Sequence, residues 1–151
     1  VKRRDLAAAL AAAAVVRPWA VCAEPLEIPV IGFLSPGSAA SAIGLAKFRE
    51  GLGEMGFVEG RNLAIEYRWT EGRHERLPES AADLVRRRVA VIIANGSDAA
   101  RAARGATATI PIVFDVGTDP VASGLVASFS RPGGNATGFS IFFGELTAKR
   151  L

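Results

Sequence analysis

Three almost uninterrupted apolar runs, at residues 28–34, 89–94 and 110–116, are separated by longer stretches of helical spacing. A strand buried on both faces between helices needs such a run, with no alternation in it. The pattern therefore dictates an α/β fold of βαβ units on a parallel sheet. Residues 63–69 alternate instead, with Leu63, Ile65, Tyr67 and Trp69 on one side and Ala64, Glu66 and Arg68 on the other, which predicts an edge strand. A fifth strand is expected at residues 136–141, after a turn at Arg131-Pro132-Gly133-Gly134-Asn135. With right-handed crossovers, five strands whose second lies at an edge give a doubly wound parallel five-stranded sheet of order 2-1-3-4-5.

The intervening segments read as helices. Leu45, Phe48, Leu52 and Met55 form one apolar stripe on a helix ending near Gly56, and that stripe is expected to be core. A helix at 75–88 turns Leu77, Ala81, Leu84 and Val85 inward and leaves Arg86, Arg87 and Arg88 in solvent, at the negative end of its dipole. A small-residue helix is expected at 98–105 and another helix at 121–129. With 151 residues, half of them apolar, the chain suffices for one ordinary domain with a real core.

The first 23 residues have a different character. Lys2, Arg3 and Arg4 precede an apolar run at 6–16, and the small-residue end at Val21, Cys22 and Ala23 suits cleavage before Glu24. This predicts a signal peptide at 1–23. Its Arg3-Arg4 pair, alanine-rich run and late Arg17 resemble a twin-arginine leader, with the general secretory route as the alternative. The 11-residue run is too short to span a bilayer, whose hydrocarbon core is about 30 Å thick. Cleavage there removes Cys22, the sole cysteine, and with it any disulfide or thiolate metal site. The leader also holds all of the net charge of +3, because residues 24–151 carry 14 basic and 14 acidic side chains. A neutral body offers no footprint for nucleic acid.

In a sheet of this order, ligands bind beyond the carboxyl ends of the strands, where the strand order reverses. Three polar loops fall there, at 35–41, 95–98 and 117–120. Ser35-Pro36-Gly37-Ser38 brings hydroxyls and free N–H groups to a strand-to-helix turn, a favourable place for a carboxylate, although the same serines serve equally as turn and cap residues. Asn95-Gly96-Ser97-Asp98 repeats the arrangement with a cap at Ser97, and Asp119-Pro120 starts a third helix.

Catalytic constellations are poor. The one histidine, His74, reads as a surface residue among charged neighbours, and none of the nucleophile-elbow, phosphate-loop or dinucleotide-binding glycine patterns occurs. Asp115 and Asp119 form a conceivable carboxylate pair without a histidine or lysine near them in sequence to complete acid–base chemistry. Asp98 and Asp115 near the rim also suggest a phospho-acceptor receiver, whose cytoplasmic phosphodonors are at odds with an export leader. No enzyme activity and no cofactor is expected. An exported flavodoxin-like or hydrolase-like enzyme is the alternative, and turnover depending on Asp115 or Asp119 distinguishes it.

The stretches Ile31-Gly32-Phe33-Leu34-Ser35-Pro36-Gly37-Ser38, Gly56-Phe57-Val58-Glu59-Gly60-Arg61-Asn62 and Ile110-Pro111-Ile112-Val113-Phe114 closely resemble the ABC-transporter substrate-binding proteins of the tryptophan and aromatic amino acid type. Asp119-Pro120-Val121-Ala122 and residues 131–138 continue the likeness. It implies a type I periplasmic binding protein fold, capture of a small solute, and delivery to an inner-membrane ABC permease from the periplasm. It also implies that residues 24–140 form only the N-terminal lobe, with 141–151 entering a hinge crossover and the first helix of a second lobe, so that an inactive gene fragment is a further reading. By position, the contacts of this lobe fall to Ser35, Ser38, Asn95, Ser97, Gly117, Thr118 and Asp119, with Ser35 and Ser38 nearest a ligand carboxylate. The apolar Ile141-Phe142-Phe143 is expected to be exposed and to invite self-association.

Overall fold

The computed structural model describes residues 28–41, 44–128 and 130–141. The expected leader at 1–23 and residues 142–151 of the expected crossover lie outside them. Five strands, β1 (Val30–Ser35), β2 (Ala64–Trp69), β3 (Val91–Asn95), β4 (Ile112–Val116) and β5 (Ala136–Ser140), make one sheet of order β2-β1-β3-β4-β5. Every pairing is parallel, as the apolar runs and the alternating edge strand predict. The helices are α1 (Leu45–Glu54), α2 (Leu77–Arg86) and α3 (Ser97–Ala106).

The two faces of the sheet are covered unequally. On one, α2 brings Leu77, Ala81 and Leu84 and α3 brings Ala99, Ala100 and Ala103 against Leu34, Ile92, Ala94, Ile112 and Phe114, and all of these are buried. The alanines of α3 let its backbone lie close to the strands. Leu84 lies directly over Gly32, where an added Cβ would come within 3.0 Å of Leu84 Cδ1. On the other face, Phe48 of α1 packs on Phe33, with ring centroids 5.9 Å apart. Phe33 in turn meets Trp69 at 5.2 Å, and Trp69 stacks on Tyr67. The α1 stripe differs from its expected role, since α1 has no fully buried residue and Met55 is 77% exposed. The helix covers only the β1–β2 half of its face, and Ile93 and Val113 line an open cleft beside it.

One further expectation is corrected. No helix forms at 121–129 among the described residues; the chain makes turns over 120–124. Ser123 N–H reaches Asp119 O, but Leu125 N–H and Val126 N–H both return to Pro120 O. Gly124, at φ +72°, ends the turn after one cycle, as a glycine in the left-handed region does at a helix C-terminus. Leu125 and Val126 then bury as a loop plug. The arginines closing α2 are exposed as expected, and two of them also make ion pairs. Arg86 and Arg87 both donate to Asp83, which also takes two bonds from Arg68 of β2, at 3.0 and 2.6 Å.

Those three guanidiniums, Arg68 foremost through its hydrogen bonds, hold the Asp83 carboxyl at about 2, below its ordinary 3.8. A lowered native value means that the stabilisation is complete above the unfolded value and is lost as pH falls from about 4 towards about 2. Asp83→Asn is therefore expected to lower the melting temperature by a few degrees at neutral pH. It should also flatten the acid limb of the pH–stability curve, checked by thermal unfolding from pH 7 to pH 2. An unchanged acid limb means that Asp83 does not tie α2 to β2.

Candidate ligand-binding site

Because every strand runs in the same direction, the carboxyl ends share one edge. Ser35 closes β1, Asn95 closes β3, and Gly117, Thr118 and Asp119 follow β4 directly, so the sequence-derived loops gather on that edge. In-register pairing also decides which side chains share a face. Ser35 lies beside Trp69, Asn95 beside Asp115, and Asp115 beside Phe139. With Ser35 bonded to Asn95, the final row of the sheet on the α1 side reads Trp69, Ser35, Asn95, Asp115, Phe139.

The polar centre of that row is one hydrogen-bonded line. Ser35 Oγ donates to Asn95 Oδ1 at 3.1 Å, and Asn95 Nδ2 donates to both Asp115 carboxylate oxygens at 3.0 and 2.9 Å. The Gly96 N–H adds a bond to Asp115 Oδ1 at 3.2 Å, and the Gly37 N–H donates to Ser35 Oγ. The line resembles a catalytic relay in outline, but its middle member is an amide, which cannot take up and release a proton at neutral pH as an imidazole does. It positions groups and does not activate the Ser35 hydroxyl.

The remaining sequence-derived residues are held more locally. Ser38 and Ser41 bond to each other through hydroxyls 3.1 Å apart, and the Ser38 hydroxyl accepts the Ser41 N–H, closing the short 3-10 turn Ala39–Ser41. Ser97 does not cap α3; its hydroxyl meets Thr118 Oγ1 at 2.9 Å and ties the β3 and β4 loops together. The Thr118 carbonyl accepts from Ser140 Oγ, which carries the connection to β5. Asp119 Oδ1 accepts the N–H groups of Val121 and Ala122, so this carboxylate caps its own turn. Gly117 is exposed, and a Cβ added there would meet open space. His74 is exposed as expected, and Nδ1 lies 2.8 Å from Asp98 Oδ2 on the α2–α3 side.

Asp115 entered the sequence reading only as a catalytic or phospho-acceptor carboxylate and not among the ligand contacts. It has the same parity as Val113 in β4, and that parity turns it towards α1, whereas Phe114 enters the opposite core. Asn95, 20 residues earlier, meets it only through strand register, and a reading confined to sequence neighbours does not supply that partner. Above the row lies a cleft of about 630 Å³, walled by Phe33, Phe48, Trp69, Phe139 and Ile141, with Asn95 and Asp115 in its lining.

The comparisons with known proteins agree with this fold. Residues 27–148 match the family described as ABC transporter substrate binding protein. A tyrosine-binding protein of Clostridioides difficile (strain R20291) is 34% identical over 93 residues, 62% of this chain and 27% of that protein. Among solved structures, the ligand-free, open form of a substrate binding protein with adhesive properties from Clostridium difficile superposes with a TM-score of 0.71 at 29% identity, over 76% of this chain and 39% of that one. An ABC domain from Streptococcus pneumonia in complex with L-Trp gives a TM-score of 0.67 at 28% identity, over 74% of this chain and 38% of that one. The chain thus spans well under half the length of each of these relatives. With a family match across most of its length and a sheet of the same form, the chain belongs to the ABC transporter substrate-binding protein family.

Proposed function

We propose that this lobe is one wing of a solute receptor that works outside the cytoplasmic membrane and hands a small solute, an amino acid with an aromatic side chain, to an ABC permease. The observation that carries the reading is the gathering of Ser35, Asn95 and the 117–119 loop at one edge of the sheet, beside a cleft with aromatic walls. The relatives that bind tyrosine and L-Trp support the solute class. In this reading the leader at 1–23 directs export, and residues 24–140 form the lobe. Ser35, Ser38, Asn95, Ser97, Gly117, Thr118 and Asp119 supply polar contacts, some directly and some by holding the loops in place. A second wing closing over the rim removes the solute from water, which is where much of a clamshell's affinity arises.

The test is a melting-temperature screen of the 151-residue chain against the common amino acids, followed by calorimetric titration of any hit and recovery of the ligand. Weak but saturable binding is expected of one wing on its own, with the ligand recovered unchanged. The Ser35→Ala, Ser38→Ala double variant should bind at least about tenfold more weakly, the loss expected for one or two polar contacts. Chemical conversion of the ligand, or no response to any amino acid at millimolar concentration, rules the reading out.

A further inference from the structure

The polar row does more than mark the rim, because its hydrogen bonds have a fixed direction. Ser35 gives its proton to Asn95, and Asn95 gives its own to Asp115, so donors point towards β4 and the accepting charge collects at the Asp115 end. A carboxylate has about four acceptor positions on its two oxygens. Here both oxygens are held by the Asn95 amide and one also by the Gly96 N–H, which fixes the orientation of the group. Those donors are neutral amides and supply no countercharge. Among the described residues no cationic side chain bonds to it, and Lys47, which also lines the cleft, is turned to Glu50 at 2.6 Å.

We propose that Asp115 is the charged contact of this cleft and selects a solute that carries a protonated amine on an aromatic body. The proposal rests on the receptor reading above and deepens it by assigning the charge preference of the site. The amine completes the acceptor set of Asp115, and the ring lies among Phe33, Phe48, Trp69 and Phe139. The cleft volume of about 630 Å³ falls within the range of about 300–1,000 Å³ usual for small-molecule sites. A solute presenting only a carboxylate meets a like charge there, and the donors left on the row to offset it, the second Asn95 amide hydrogen and the Trp69 indole N–H, are neutral.

Three probes with one ring system separate the possibilities: tryptamine, with the amine alone; tryptophan, with both charges; and indole-3-propionate, with the carboxylate alone. Each is titrated into the full chain while the Gly96 N–H and Asn95 side-chain amide resonances are followed by NMR. Tryptamine and tryptophan should shift both saturably, and indole-3-propionate should bind at least about tenfold more weakly, as expected for a charge-assisted contact. Asp115→Asn should erase that preference, whereas Phe139→Ala should weaken all binding probes alike and keep it. If Asp115→Asn does not fold, the order of the three probes on the unsubstituted chain decides alone. Equal or tighter binding of indole-3-propionate overturns the proposal, as does an unchanged preference in a folded Asp115→Asn variant. If none of the three binds but another amino acid does, this proposal falls and the receptor reading stands; if no solute binds at all, both fall.

Discussion

Gly138→Ala should detach β5 from the sheet. Gly138 is in register with Phe114, and a Cβ at that position would run into the Phe114 carbonyl oxygen and come within 2.7 Å of its ring carbon Cδ2. A carbonyl already placed in a strand ladder cannot swing aside as the end of a flexible side chain can, so relief requires the two strands to part. The expected loss of about 3 kcal/mol lies at the upper end of what overpacking costs. It should appear in denaturant unfolding together with faster hydrogen exchange at Ile141, whose N–H bonds to Val116 O at the end of the β4–β5 ladder. Thr137→Ala, one residue earlier and exposed, should stay within about 0.5 kcal/mol of the unsubstituted protein. A Gly138→Ala variant with native exchange at Ile141 contradicts the close approach.

Leu84→Ala should cost about 2–5 kcal/mol, because Leu84 is fully buried among the residues that join α2 to the sheet. What makes this site informative is its partner. Gly32→Ala alone sets a methyl group 3.0 and 3.1 Å from the two Leu84 methyls and 3.2 Å from Val89 Cγ2, an overpacking worth about 1–3 kcal/mol. Together, the new methyl group occupies part of the space that Leu84 vacates. The double variant should therefore be less destabilised than the sum of the singles by about 1 kcal/mol or more, measured as a double-mutant cycle in urea. Strict additivity means that the two side chains do not share this space.

The sheet was legible because its signals are local. Three apolar runs and one alternating run name the strands and the edge, and chirality orders them, which is why β2 lies outermost and β1, β3 and β4 at the centre. The 121–129 segment misled because Val121, Leu125 and Val126 have helical spacing, yet Gly124 interrupts them, and only Leu125 and Val126 bury while Val121 stays exposed. A glycine four residues into a candidate helix carries a stop signal that outweighs the apolar spacing. The α1 stripe misled for a different reason: periodicity says which side of a helix is apolar, but not how much of a neighbouring face that helix can cover. Loop composition picked out segments that do share one edge of the sheet, while the pairings of Ser97 with Thr118 and of Asn95 with Asp115 exist only through register between strands. Asp115 belongs to the second class, which explains why its neighbourhood in sequence looked empty.

The unequal covering of the sheet separates two demands that often conflict in a binding protein. The sealed side, with α2 and α3, holds the residues whose loss threatens folding, among them Leu84, Ile92 and Phe114. The thinly covered side carries Trp69, Asn95, Asp115 and Phe139, whose side chains are at least partly in contact with solvent. Substitutions at the cleft therefore fall mainly where few packing contacts are at stake. A sheet built this way can change the chemistry of its open side through a handful of substitutions while its scaffold keeps the same stability.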